Sequence, residues 1–225
     1  MKLSVLVPAY NEAKTIATML DAVYERNKNK ELEVIVVDDG STDGTYEAAL
    51  KAARPTTKVV KHERNRGKGA GVITALSHAT GDYVIIQDAD LEYDPADYDL
   101  LLKPMLEGKA EVVYGSRLMK SDARSYHRYY YGGQLVSLWT NILFGSRLTD
   151  EPTCYKLFKT DFLKSLNLEC QGFEFCPEAT AKTLKRGVHI LELPINYHPR
   201  KMEEGKKIRW TDGVIALWTL LRLRF

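Results

Sequence analysis

The chain has 225 residues, of which 44% are hydrophobic and 28% are charged, and its formal net charge is +2. This composition is ordinary for a globular protein and excludes a disordered or fibrous chain. The near balance of 32 Lys and Arg against 30 Asp and Glu gives no overall signature of nucleic-acid binding. Three cysteines, Cys154, Cys170 and Cys176, cannot all pair and lack the spacing of a zinc site, which predicts free thiols in a reducing compartment.

The first half of the chain alternates short β-branched runs with segments of helical periodicity. The predicted strands are Leu3–Val7, Glu33–Val37, Lys58–Lys61, Tyr83–Gln87 and Glu111–Tyr114. The predicted helices between them are Thr15–Tyr24, Thr45–Ala53, Ala70–Ala79 and Ala96–Leu106. Strand–helix–strand units at this spacing predict an α/β fold of three layers, with a central, mostly parallel sheet between helices.

The second half has a different character. Ser116–Gly133 is rich in Arg, Tyr, Ser and Gly, and the amphipathic stretch Gln134–Leu148 follows it. The predicted elements after it are two helices at about Thr160–Leu166 and Glu174–Lys185, a strand at His189–Leu193, a basic loop from about His198 to Lys207 and a last helix from about Thr211. Since no repeat or low-complexity linker separates the halves, we expect one domain over residues 1–225.

The start of the chain runs from one Lys directly into a predicted strand, without the long apolar region of a signal peptide. Gln134–Leu148 and Val214–Phe225 are apolar, but both are shorter than the roughly 20 residues that a spanning helix needs. The sequence therefore predicts a cytoplasmic protein that does not cross a membrane by itself.

Polar side chains follow four of the predicted strands at the point where each strand ends. The four strand ends are Pro8-Ala9-Tyr10-Asn11-Glu12, Asp38-Asp39-Gly40-Ser41, Asp88-Ala89-Asp90 and Gly115-Ser116-Arg117. In an open parallel sheet, ligands bind where the carboxyl ends of the strands converge. A purely structural sheet needs turns at these ends but not this many carboxylates, so we expect a binding site there.

Asp88 and Asp90 are two residues apart, and side chains so spaced on an extended segment point the same way. Two carboxylates in that position repel each other unless a cation lies between them, and Glu92 would continue the same face. Oxygen ligands favour Mg²⁺ or Mn²⁺, which typically also bind substrate phosphates. The residues alone fit equally well with turn or helix-capping aspartates before Pro95.

Two further segments near the strand ends are ambiguous. Asp39 could accept hydrogen bonds from a nucleobase or a ribose, but the run from Asp38 to Asp43 also fits a turn and a helix cap. The glycine-rich segment Arg64–Gly71 has the spacing of neither a P-loop nor a dinucleotide fingerprint. We expect its glycines to allow a helix to approach the nucleotide pocket closely.

Taken together and in order, the segments PAYNE, VVDDGSTDGT, NRGKG and QDADLEYDP resemble the family 2 glycosyltransferases of the GT-A fold. Within that family the chain is most similar to the polyprenyl-phosphate sugar transferases of the dolichyl-phosphate mannose synthase type. The resemblance covers nearly all of Met1–Arg117 and continues more loosely beyond it. It implies a donor-binding half at residues 1–117 and an acceptor-binding half with amphipathic helices at residues 118–225.

The resemblance also implies roles for residues at matching positions. The nucleotide-sugar would be bound by Pro8, Tyr10, Glu12, Val37, Asp39, Asp88, Ala89, Asp90, Arg117, Arg200 and Lys206. Asp88, Asp90 and Glu92 would hold Mg²⁺ or Mn²⁺. Arg117, Arg200 and Lys206 would stabilise the negative charge that develops on the departing diphosphate.

The acceptor determines whether the reaction needs a base. A lipid monophosphate is largely dianionic at neutral pH, since its second pKa is about 6, and can attack without first losing a proton. A hydroxyl of a glycan or glycolipid would need a general base, and Asp150 falls where related hydroxyl-acting enzymes place theirs. A third alternative is a non-catalytic module that binds nucleotide-sugars on the same fold.

Aromatic and basic residues border the amphipathic stretch that begins at Gln134. They include Arg124, Tyr126, Arg128, Tyr129, Tyr130, Tyr131, Trp139 and Arg147. Such a pattern is typical of an element that lies in a membrane interface. It predicts a peripheral protein on the inner face of the membrane, or one that binds a small membrane partner. The alternative is packing on the core or on a second subunit of a homo-oligomer.

Overall fold

The computed structural model describes residues 1–120, 127–200 and 209–225. Its strands are β1 (Lys2–Ala9), β2 (Glu31–Asp38), β3 (Thr57–Lys61), β4 (Tyr83–Ile86), β5 (Val112–Ser116), β6 (Lys156–Lys159) and β7 (Ile190–Pro194). Within the described ranges these seven strands form one sheet in the order β3-β2-β1-β4-β6-β5-β7. This arrangement confirms the predicted α/β fold with a mostly parallel central sheet.

Helices connect the strands and cover the sheet. They are α1 (Ile16–Arg26), α2 (Thr45–Ala52), α3 (Lys68–His78), α4 (Tyr98–Leu106), α5 (His127–Phe144), α6 (Thr160–Ser165), α7 (Phe175–Lys185) and α8 (Trp210–Arg224), with a 3₁₀ turn at Pro95–Asp97 before α4. The amphipathic helix α5 starts seven residues before the predicted Gln134 and ends before Leu148, since Gly145 takes a φ of 68° that a helix cannot continue.

The central strands are apolar on both faces because helices cover both sides of the sheet. Val34, Ile35, Val36 and Val37 of β2 are all completely buried. Burial of one such side chain contributes about 1.5–3 kcal/mol, so the consecutive run fixes β2 in the middle of the core. The polar residues that follow β2 are therefore held at a defined edge of the sheet.

The sequence prediction missed β6. This strand has four residues, leads directly into α6, and runs antiparallel to both of its neighbours, β4 and β5. Four residues are too few to show the alternation of polar and apolar side chains by which a strand is recognised. Because β6 comes from the second half of the chain and lies between two strands of the first half, the two halves share one sheet.

The glycine-rich segment before α3 packs against another part of the chain. Gly69 N donates to Gly172 O at 3.1 Å, and Ala70 N donates to Gln171 O at 2.9 Å. A Cβ at position 69 would overlap the backbone carbonyl of Cys170. Two residues further on, a Cβ at Gly71 would lie 3.1 Å from Cβ of Pro8. The glycines therefore permit close approach of α3 to β1 and to the segment 170–172.

A second, smaller apolar cluster lies outside the main core, between α5, α7 and α8. Val136, Ala181, Ala216 and Leu220 are buried in it, and Trp139 Nε1 donates to Leu217 O at 3.2 Å. One face of α5 and one face of α8 are thus used for packing. In the part of the chain that the structure describes, no helix is long and apolar enough to cross a bilayer.

Candidate active site

The order of the strands brings the predicted site together, because β1 and β4 are neighbours and both run in the same direction. The loop after β1 supplies Glu12, and the loop after β4 supplies Asp88, Asp90 and Glu92. Glu12 and Glu92 are buried, and the side chains of Asp88 and Asp90 are less than one-fifth exposed, at 19% and 14%. Four carboxylates from two loops therefore lie at one edge of the sheet.

Arg200, from the segment after β7, joins the two loops. Its Nη2 lies 2.6 Å from Asp90 Oδ2 and 3.0 Å from Glu12 Oε1, and its Nη1 donates to Glu12 Oε2 at 3.2 Å. The partners are 110 and 188 residues away along the chain. The structure thus brings Arg200 together with Asp90 and Glu12, and its role at the diphosphate stays a prediction.

Asp88 has a different cation. The ammonium of Lys68, the first residue of α3, lies 2.6 Å from Asp88 Oδ1, and both side chains are mostly buried. Burial alone would lower the pKa of Lys68, but the contact with Asp88 raises that pKa well above its ordinary value. Lys68 is therefore a charged component of the site, which the sequence analysis did not assign. Its place in the glycine-rich segment was the available signal.

Glu92 is oriented by a turn in the backbone. Leu91 has a φ of 63°, in the left-handed region, so the extended geometry expected through Glu92 is not kept. The carboxylate of Glu92 accepts hydrogen bonds from Tyr197 Oη at 2.8 Å and from Arg200 N at 2.9 Å. Glu92 therefore holds the segment that carries Arg200, and its role as a metal ligand stays a prediction.

Among the described residues, the cations placed against these carboxylates are Lys68 at Asp88 and Arg200 at Asp90 and Glu12. Burial, together with the charges of Asp88 and Glu92, raises the pKa of Asp90 to about 6, although Arg200 acts in the opposite direction. An additional positive charge beside Asp90 would stabilise its ionised form. The described part of the site is thus electrostatically suited to a further cation.

The same residues can be tested for their fit to a divalent ion. Asp88 and Asp90 are hard oxygen donors, and Mg²⁺ is commonly bound by one or two carboxylates with water and substrate phosphates completing the shell. Among the described residues, no three His, Cys, Asp or Glu side chains are grouped as a protein-only metal site. The arrangement therefore fits an ion shared with a phosphate ligand, with Asp88 and Asp90 as its protein ligands.

Asp39 lies at the neighbouring strand end and is engaged within the protein. Its Oδ1 lies 2.6 Å from His62 Nδ1 and accepts from Arg66 N at 2.9 Å, while its Oδ2 accepts from Gly67 N at 2.7 Å. Asp39 thereby shapes the loop before α3. A cleft of about 900 Å³ lies along this loop, lined by residues 61–67 and Gln171.

The remaining residues predicted to bind the nucleotide lie around the same edge. Pro8 near the end of β1 and Tyr10 just after it are half-buried, and Ala89 is buried between the two aspartates. The side chain of Val37 is completely buried in β2, which leaves only its backbone near the site. Lys206 lies outside the described residues, as do Arg124 and Tyr126.

Arg117 and Asp150 form a second centre. Arg117 donates to Asp150 Oδ2 from its backbone N and its Nε, both at 2.8 Å, and to Oδ1 from Nη2 at 2.7 Å. Burial opposes the charge of Arg117, but the contact with Asp150 raises its pKa well above the ordinary value. Both oxygens of Asp150 are thus bound by one guanidinium. This pairing leaves Asp150 poorly placed to remove a proton from a hydroxyl.

Two residues that the sequence analysis did not single out hold this centre in place. Glu192 on β7 accepts hydrogen bonds from Thr149 N at 2.6 Å and Asp150 N at 2.9 Å. The ring of Tyr197 lies under the guanidinium of Arg117, 5.1 Å from Cζ to the ring centre, while its hydroxyl binds Glu92. Tyr197 therefore links the Arg117 centre to the carboxylate cluster. Neither residue belongs to a recognisable motif.

Comparison with known proteins agrees with this fold. The model of glycosyl transferase family 2 matches residues 4–166, and the chain belongs to this family. It is therefore a glycosyltransferase, which confirms the family and the enzyme class that the motifs predicted.

Several relatives act on lipid phosphates, by their names. The chain is 30% identical to a dolichyl-phosphate β-glucosyltransferase of Trichomonas vaginalis, over 98% of this chain and 72% of the relative. It is 29% identical to an undecaprenyl-phosphate mannosyltransferase of Micrococcus luteus, over 100% of this chain and 99% of the relative. It matches a low-salt glycan biosynthesis hexosyltransferase of Haloferax volcanii at 29% identity over 89% of the chain, and there it spans only 49% of the relative.

Among solved structures, the fold is similar to that of glucosyl-3-phosphoglycerate synthase from Mycobacterium tuberculosis, crystallised with Mn²⁺, uridine diphosphate and phosphoglyceric acid. The TM-score is 0.75 at 22% identity, over 99% of this chain and 78% of the other. The likeness confirms the GT-A fold.

The pairing of Arg117 with Asp150 predicts a large effect of Asp150→Asn on stability. The variant leaves a largely buried guanidinium without its counter-charge, which costs on the order of 3 kcal/mol in the free energy of unfolding. Glu107→Gln is the matched control, because Glu107 contacts Lys109 at the same 2.7 Å but both side chains are exposed, at 39% and 70%, so its loss should change the free energy of unfolding far less. Urea denaturation measures both, and equal losses would contradict a structural pairing of Arg117 with Asp150.

Proposed function

We propose that this glycosyltransferase moves a sugar from a nucleoside diphosphate sugar to a polyprenyl phosphate, with inversion at the anomeric carbon and with a divalent ion. The observation that carries the choice of acceptor is the engagement of Asp150 by Arg117 through both carboxylate oxygens. A hydroxyl acceptor needs a base that its proton can reach, and the Asp150 side chain is only 2% exposed behind Arg117, whereas a phosphate dianion attacks without losing a proton. The names of the dolichyl-phosphate and undecaprenyl-phosphate relatives support the same acceptor class.

The donor would lie across the carboxyl ends of β1, β2 and β4. We infer that its nucleoside is bound along the cleft beside Asp39, with contacts from the loop that contains Pro8, Tyr10 and Glu12. Its diphosphate would lie at Asp88 and Asp90, whose position at the end of β4 supports this assignment. Ligand binding at this edge is the general behaviour of open α/β sheets.

Cleavage of the bond between the sugar and the diphosphate leaves extra negative charge on the diphosphate. A divalent ion bound by Asp88 and Asp90 would supply positive charge there, and either Mg²⁺ or Mn²⁺ suits these oxygen donors. Arg200 lies within contact distance of Asp90 and so can stabilise the same charge. Lys206 is proposed for the same role from the sequence alone.

Arg117 is proposed to bind the acceptor phosphate or the transferred sugar. Asp150 and Tyr197 fix the plane of its guanidinium, and the side chain is 22% exposed, so part of it is accessible to a ligand. A planar guanidinium held in this manner can donate two parallel hydrogen bonds to a phosphate without losing further conformational freedom. Arg117 is therefore preorganised for an anionic ligand rather than for proton transfer.

We also propose that α5 and α8 bind the surface of a membrane on its cytoplasmic side, where a lipid acceptor is accessible. Opposite their packed faces, both helices carry exposed apolar side chains at helical spacing. These are Tyr131, Leu135, Leu138 and Ile142 on α5, and Trp210, Val214 and Trp218 on α8, with Phe225 directly after it. The exposed Arg222 and Arg224 lie at the end of the second stripe. Apolar side chains with flanking cations are typical of a helix in a membrane interface.

The acceptor assignment is tested by a pair of acceptors that differ only in the phosphate. Purified protein with UDP- or GDP-sugars should glycosylate a polyprenyl phosphate but not the polyprenol of the same length, and the product should appear with Mg²⁺ or Mn²⁺ but not in chelator. Asp90→Asn should slow the reaction by at least about a hundredfold, because a positioned charge at the leaving group is lost. Equal transfer to the polyprenol, or full activity in chelator, would refute the proposal.

Membrane binding is tested by flotation with vesicles that contain anionic lipid. A fully buried large apolar side chain contributes about 1.5–3 kcal/mol, so the double variant Leu138→Asp with Trp218→Asp should bind vesicles at least about tenfold more weakly. Leu50→Asp is the control, since Leu50 is 48% exposed on α2, beside the opposite edge strand β3. Unchanged flotation of a folded double variant would exclude this surface.

A further inference from the structure

The contact between Lys68 and Asp88 places a cation of the chain where the predicted divalent ion would bind. Lys68 Nζ is 2.6 Å from Asp88 Oδ1, so an ion that uses this oxygen must take the place of the ammonium. The two side chains are only 18% and 19% exposed, so water screens their attraction weakly. Any ion that enters therefore competes with a strong internal contact.

The other aspartate is also occupied. Asp90 Oδ2 accepts from Arg200 Nη2 at 2.6 Å, and Asp90 Oδ1 accepts from Glu92 N at 3.1 Å. Arg200 has a second carboxylate partner, Glu12, at 3.0 Å, whereas Asp88 is the carboxylate that the structure places against Lys68. Displacement of Arg200 from Asp90 would thus leave Arg200 paired with Glu12, whereas within the described ranges Lys68 has no second carboxylate partner. Separating Lys68 from Asp88 is therefore the less favourable step in ion binding.

A diphosphate changes this balance. A mostly buried ammonium that loses its carboxylate needs a new anion, because an unpaired charge in such a place is strongly unfavourable. Lys68 stands at the beginning of α3, beside the position proposed for the donor diphosphate, so a phosphate oxygen can take over the role of Asp88. Ion and diphosphate would then bind together, because the ion binds Asp88 while the diphosphate binds Lys68.

From this geometry we propose that Lys68 is the resident counter-ion of Asp88 and that it suppresses binding of the divalent ion until a nucleoside diphosphate is present. The inference rests on the proposed function, since it takes Asp88 and Asp90 as ion ligands. It assigns to Lys68 a role in coupling the affinities for ion and donor, a reciprocal effect in which each ligand strengthens the other.

The test is Mn²⁺ binding to the free protein, followed by electron paramagnetic resonance without donor. Lys68→Met should bind Mn²⁺ at least about tenfold more tightly than the wild type, because the competing charge is gone. Lys68→Arg retains the charge and should not bind more tightly than the wild type. Lys182→Met is the matched control: Lys182 contacts Glu178 at 2.7 Å and is 22% exposed, and the pair lies on α7. It should leave the affinity unchanged.

Repeating the titration with uridine or guanosine diphosphate tests the coupling. The diphosphate should tighten Mn²⁺ binding strongly in the wild type and much less in Lys68→Met. Should Lys68→Met fail to fold in thermal melts, Lys68→Gln, which keeps an N–H for Asp88, must still bind the ion more tightly than the wild type.

Equal or weaker Mn²⁺ binding by the folded uncharged variants would overturn the role of Lys68, even if sugar transfer by the wild type requires the ion. Absence of sugar transfer to any lipid phosphate, with Mn²⁺ binding still tightened by Lys68→Met, would instead refute the proposed function and leave the counter-ion role intact. The two failures are therefore distinguishable.

Discussion

The crowding of four carboxylates at the ends of β1 and β4 is the constraint on which the rest of the site depends. Largely buried anions are unfavourable unless cations pair with them, and the chain supplies Lys68 and Arg200. These two pairs draw α3 and the segment after β7 onto the edge of the sheet. Burial and the nearby charges of Asp88 and Glu92 nonetheless raise the pKa of Asp90. The described part of the fold thus gathers several carboxylates at one edge of the sheet, an arrangement that suits a cation together with a diphosphate.

The topology of the sheet explains how both halves of the chain contribute to one cleft. Because β6 lies between β4 and β5, the segment before it, which carries Asp150, is brought beside Arg117 at the end of β5. Tyr197 then connects this centre to Glu92 in the carboxylate cluster through its ring and its hydroxyl. Tyr197 thus connects the residues proposed to bind the donor diphosphate with the arginine proposed to bind the acceptor or the transferred sugar.

The sequence predicted those features that depend on neighbouring residues, but not those that depend on contacts between residues far apart along the chain. Strand periodicity and the polar strand ends predicted the α/β fold and the positions of Asp88, Asp90 and Arg117, since each follows directly from its own strand. The partners of these residues could not be predicted, because Arg200 and Asp90 are 110 residues apart and Arg117 and Asp150 are 33 apart. The orientation of Glu92 depends on the left-handed backbone conformation of Leu91, which cannot be predicted from a leucine side chain.

The most direct test of this account is anomalous diffraction from crystals grown with Mn²⁺, in the presence and absence of a nucleoside diphosphate. The account predicts a manganese peak between Asp88 and Asp90 only with the diphosphate, and in that state the ammonium of Lys68 should contact a phosphate oxygen instead of Asp88. A full manganese peak without diphosphate, with the contact between Lys68 and Asp88 intact, would contradict it.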